Sequence, residues 1–78
     1  MKSIVEEVLA ELERATGLFG EIRSAHEGYG VLLEEVDELW DAIKKNDFVN
    51  GREEAIQVAA MAIRIIHDVY YKESPTWR

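Results

Sequence analysis

An all-α fold with three helices is what this 78-residue chain predicts, on three observations. Apolar residues recur at three- and four-residue intervals along three long runs. Each run follows a Ser or Asn that has Glu three residues later, the spacing of a capping box. No stretch alternates apolar with polar residues long enough to make a strand.

The first run opens at Ser3, with Glu6 as its capping partner, and presents Val5, Val8, Leu9, Leu12 and Ala15 at helical spacing. Thr16-Gly17 is expected to end it, because glycine is the usual residue past a helix terminus. "LFGEIRS" then reads as a connector. A second helix is expected from Ser24, paired with Glu27, to about Lys45; Gly28 and Gly30 weaken its first turns. "NDFVNG" reads as its break. Asn50 with Glu53 signals a third helix from about Gly51 to Lys72, stopped by Ser74-Pro75. One domain is thus expected over residues 1–73, with 74–78 as a tail.

So short a chain buries only about 60% of its unfolded surface and needs a metal or a partner chain to supplement its core. Cysteine is absent, which excludes disulfides and thiolate metal sites and fits a reducing cytoplasm. Sixteen acids against nine basic residues give a net charge of −7, the wrong sign for a nucleic-acid backbone or an anionic membrane. The longest apolar run, Val58 to Ile63, falls far short of the ~20 residues that span a bilayer. The acidic, amphipathic N-terminus is also unlike a signal peptide.

The third run, "AIQVAAMAIRIIHDVY", is apolar around most of its circumference, more than two other helices of one small chain can cover. Ala59, Ala60 and Ala62 allow close helix approach. The expected assembly is therefore a homo-oligomer in which helices two and three of two protomers form a four-helix bundle; the plainer alternative is a monomeric three-helix bundle.

"LLEEVDELWDAIKK" concentrates Glu34, Glu35, Asp37, Glu38 and Asp41 ahead of its first lysine, Lys44. At roughly 100° per residue, Glu34, Glu35 and Glu38 fall on one arc of the helix, where like charges one turn apart repel. Leu32, Val36, Leu39 and Ile43 form the expected inward stripe, and Glu35 borders it. A divalent cation reverses the sign of that repulsion, and Mg²⁺ prefers hard oxygen ligands and phosphate oxygens. If helices two and three make an antiparallel hairpin, Glu54 and Gln57 at the start of helix three can supply the other half of a site. The plainer reading is a solvated acidic face, with Glu54 complementing a helix dipole.

The motif "EEVDE" at Glu34, Glu35 and Glu38, followed after 15 intervening residues by "EAIQ" at Glu54, resembles the MazG-like, all-α nucleoside triphosphate pyrophosphohydrolase superfamily. Its pattern is EExxE, a spacer, then ExxD; the upstream "ELERATGLFGEIRSAHEGYGVL" is similar as well, so the likeness covers roughly residues 8–68. The resemblance implies hydrolysis of a nucleoside triphosphate to monophosphate and pyrophosphate, with Mg²⁺ (or Mn²⁺) on Glu35, Glu38 and Glu54. It gives Glu34 to the ion or to the attacking water, and implies a dimer or dimer-based tetramer. Gln57 stands where the family pattern has Asp. An amide oxygen still binds a hard cation but brings no charge.

His26, Trp40 and Lys45 are candidate substrate contacts. Their plainer roles are capping or surface for His26, packing for Trp40 and dipole balance for Lys45. His67, near Arg64 and Asp68, reads as structural or interfacial. Two further readings stay open: phosphoribosyl-ATP pyrophosphohydrolase or a dUTP- or dCTP-directed relative, and a catalytically degenerate helical module that binds nucleotide or protein.

Overall fold

The computed structural model describes residues 3–18 and 20–71, and these fold as α1 (Ile4–Leu18), α2 (Ala25–Lys44) and α3 (Phe48–Ile65). A π-helical segment, Ile66–Tyr71, continues α3 without a break. No strand occurs among the described residues. The expected tail at 74–78 lies outside them, as does the expected last residue of helix three, Lys72.

Two capping signals act as the sequence implies. Glu6 N donates to Ser3 Oγ at 3.1 Å and Ser3 N donates to Glu6 Oε1 at 3.0 Å, a complete capping box. Ser24 caps α2 through Glu27 N, while the Glu27 carboxylate reaches back to Arg23 N rather than to Ser24. The third signal is displaced. Asp47, not Asn50, caps α3, accepting from Asn50 N at 3.0 Å and from Asn50 Nδ2 at 2.7 Å. Only the C-cap Lys45, Asn46 and Asp47 separate α2 from α3, and Asn46 takes the left-handed φ of 55° that reverses the chain. "NDFVNG" is therefore not a loop, since "FVNG" is the first turn of α3. Gly17 does not stop α1 either; the helix runs through it to Leu18.

Helices α2 and α3 form the expected hairpin, and α1 lies against α3. Small residues set the α2–α3 approach. A Cβ on Gly28 would stand 2.9 Å from Ile65 Cγ1, and one on Gly51 would stand 3.9 Å from Ala42 Cβ. The glycine that weakens α2 in isolation is thus what lets it close on α3. Among the described residues, Ile22, Ala42, Ala60 and Met61 form the buried apolar core, joined by one buried charge, Arg64. Arg64 Nη2 donates to Gly20 O at 2.6 Å, and Ile22 N donates to Asp68 Oδ2 at 3.0 Å. The end of α3 therefore holds the α1–α2 connector in place. His67 Nδ1 contacts Asp68 Oδ1 at 2.8 Å, in line with a structural role.

The inward face of α2 lies about half a helical face away from the expected stripe. Gly28, Val31, Leu32, Glu35, Leu39 and Ala42 are buried or half-buried, at i, i+3, i+4, i+7, i+11 and i+14. Val36 and Ile43 instead join Leu33 and Trp40 in a second apolar stripe, each more than a third exposed. That rotation carries Glu35 from the border of the packed face into it.

Candidate functional site

The hairpin brings together three carboxylates that the spacing singled out. Glu35 and Glu38, one turn apart on α2, and Glu54, in the second turn of α3, each offer an oxygen within 4.8 Å of the other two. Glu35 and Glu54 are half-buried and Glu38 is exposed. The three-residue connection fixes this register, since it leaves the end of α2 and the start of α3 no freedom to slide.

Glu35 Oε2 and Glu54 Oε2 are both shielded from solvent and have no hydrogen-bond partner. Buried polar atoms in native folds are nearly always satisfied, so two orphaned oxygens in one cluster are a cost that something must offset. Burial pushes the Glu54 carboxyl up to about 7, helped by its hydrogen bond with Glu38 and by the charges of Glu38, Glu35 and Glu53. Burial also raises Glu35, with Glu38, Glu11 and Glu34 adding repulsion and Arg14 opposing it. A proton on Glu54 relieves this repulsion, and a cation could do the same. Three carboxylates from two helices with their oxygens this close could hold a metal ion.

The carboxylates stand between two cavities. One, of about 270 Å³, is lined by Glu38 and Glu54 together with Asp41, Lys45, Asp47 and Asn50. The other, of about 470 Å³, is bordered by Glu34, Glu35 and Gln57 and extends from α1 across the connector to α3. Lys45 thus stands beside the cluster, while Glu34 is exposed at the rim of the larger cavity. Trp40 and His26 line neither cavity. Trp40 is 55% exposed on the outer apolar stripe with Lys44 Nζ 5.7 Å from its ring centre, and His26 is exposed in the first turn of α2. Of the other nearby cations, Arg52 is paired with Glu7, and Lys44 is 3.3 Å from Asp41.

Sequence reasoning missed the arginines of the larger cavity, Arg14, Arg23 and Arg64. They come from α1, the connector and the far end of α3, and no local spacing links them to the acidic motif. Asp47 was hidden by reading its segment as a break, and Asn50 was read only as a cap.

Comparison with known proteins finds no matching family model, no matching curated sequence and no matching solved structure. The functional reading rests on the motif residues and on the geometry that surrounds them.

Proposed function

We propose that this chain is a Mg²⁺-dependent nucleoside triphosphate pyrophosphohydrolase, cleaving NTP or dNTP to the monophosphate and pyrophosphate in nucleotide-pool house-cleaning. The observation that carries the reading is the convergence of Glu35, Glu38 and Glu54 from two helices, with an unpartnered buried oxygen on two of them.

Glu35, Glu38 and Glu54 would hold the ion, and Mn²⁺ suits the same oxygens. When bound, the ion neutralises phosphate charge and lowers the pKa of a coordinated water. Glu34, one residue before the cluster and exposed at the larger cavity, would orient a water and accept its proton. Lys45, lining the smaller cavity with Glu38 and Glu54, offers a positive charge to phosphate oxygens. Helix α2 holds Glu34, Glu35 and Glu38 on one rigid element, so little reorganisation is needed once substrate arrives.

The working unit is a homodimer, or a dimer of dimers, that covers the outer stripe of α2. Leu33, Val36, Trp40 and Ile43 are 40–55% exposed along one helix face, α3 adds Val49 at 71%, and the π-helical segment adds Ile66 at 57%. So much apolar surface on a chain this small is the mark of an interface. A monomeric mass by light scattering at micromolar concentration would overturn that part.

The test is pyrophosphate release from a panel of ribo- and deoxyribonucleoside triphosphates, with and without Mg²⁺. Metal-dependent release is expected, and Glu38→Gln should reduce it by roughly 100-fold or more while helicity is retained. Release that survives Glu38→Gln sinks the assignment of the ion to this cluster. One observation favours a second reading: Gln57 occupies the position of a motif acid. A folded chain that binds Mg²⁺ and turns over none of the triphosphates would establish a catalytically degenerate, nucleotide-binding module.

A further inference from the structure

The carboxylate cluster separates two cavities of opposite character. The smaller contains Lys45 and further acids and suits hydrated, charged groups. The larger has a mainly apolar lining, with Ala15, Ile22, Val31, Ala60 and Met61 among its residues, and its volume of about 470 Å³ lies within the range of small-molecule sites. Two of its arginines are already engaged by its own wall. Arg64 donates to Gly20 O, and Arg14 is held by Glu11 at 2.6 Å. Gln57 differs from them. It borders this cavity, is half-buried, and its amide makes no hydrogen bond among the described residues.

We infer that the larger cavity takes the nucleoside half of the substrate and that Gln57 reads the base edge there, rather than serving the metal. This rests on the nucleotide reading above. With an ion on Glu35, Glu38 and Glu54, the phosphates are drawn toward the cluster and Lys45. The planar, largely apolar remainder of the nucleotide then has the larger cavity beside Glu35 to occupy. A carboxylate at position 57 could only accept hydrogen bonds at neutral pH, whereas an amide donates and accepts at once. That matches a base edge presenting a donor next to an acceptor, the pairing in which glutamine is used elsewhere. The replacement of an acid by Gln57 thereby exchanges a metal ligand for a selectivity element.

Calorimetry on the full chain tests this, using Mn²⁺ alone and, separately, the four nucleoside monophosphates without metal. The proteins are the wild type, Gln57→Leu and Ala15→Phe, each checked for helicity. The wild type is expected to prefer one monophosphate. Gln57→Leu should shrink that preference by about tenfold while leaving Mn²⁺ affinity within roughly twofold. Ala15→Phe, which fills the cavity, should abolish monophosphate binding and spare Mn²⁺ binding. The inference is overturned if Gln57→Leu weakens Mn²⁺ and leaves base preference intact, which would put the amide on the ion. It is overturned equally if monophosphates bind Ala15→Phe normally, or do not bind the wild type at all. Failure of the wild type to bind Mn²⁺ would instead sink the ion site of the proposed function, with the monophosphate titrations still deciding the cavity.

Discussion

Glu54 and Arg64 sit ten residues apart on α3, both are withdrawn from water, and the fold treats them in opposite ways. Arg64, 7% exposed, is satisfied within the chain: Gly20 O accepts a hydrogen bond from its guanidinium and the Asp68 carboxylate lies near enough to feel its charge. Glu54 is left with an orphaned oxygen and acid neighbours that lift its pKa to about 7. One end of the helix spends a buried charge on architecture, locking the connector against α3. The other keeps buried charges in mutual repulsion. The uncompensated cluster on a well-satisfied framework is what the proposed metal site rests on.

Breaking the satisfied end should have the largest effect on folding. Arg64→Leu removes a charge-assisted bond to Gly20 O and the positive charge beside Asp68, at a cost of about 3 kcal/mol in denaturant unfolding. A loss below about 0.5 kcal/mol would show that the connector is held by packing alone.

The unsatisfied end should respond with the opposite sign. Because Glu54 titrates near 7 in the fold against an ordinary 4.5, the folded chain retains a proton that the unfolded chain releases. Its contribution without metal is full below about pH 4.5 and is lost as pH rises through about 7. Glu54→Gln should therefore raise the metal-free Tm at pH 8, on the order of 5 °C, with little change at pH 4. Added Mn²⁺ should stabilise the wild type more at pH 8 than at pH 5, because ion and proton compete for the same oxygens. A variant whose melting follows the wild-type pH curve would show that Glu54 is not strained.

The smallest effect lies between the two ends. Asp47→Ala removes the cap of α3 and should cost about 1 kcal/mol by thermal melting. Asn50→Ala, which spares Asp47, should cost less. Equal losses would mean that the sequence signal at Asn50, rather than the observed cap, sets the start of the helix.

These elements show what the sequence disclosed. Ser3 and Ser24 were legible because each is followed by Glu at capping distance and nothing nearby competes with it. At the third helix two candidate caps lie three residues apart, Asp47 and Asn50, and only the side-chain geometry shows Asp47 accepting two bonds from Asn50. Gly28 was read through propensity, a local quantity, whereas its contact with Ile65 is 37 residues away along the chain. The convergence of Glu35, Glu38 and Glu54 was legible because helical spacing and a hairpin suffice to produce it. The larger cavity was not, because its walls come from α1, the connector and the far end of α3. The rotation of α2 that exposes Val36 and Ile43 was hidden for a related reason. Two adjacent apolar stripes leave the inward direction undetermined until α3 chooses one.

The Asn46 reversal works as a gauge block between the two halves of the candidate site. Inserting one residue there would turn every side chain of α3 by about 100° relative to α2 and carry Glu54 away from Glu35 and Glu38. Length at this point is therefore as much a part of the chemistry as the identity of the acids. Homologous or engineered chains that keep all three glutamates but gain or lose a residue between Lys45 and Phe48 would inherit the letters of the motif without its grip.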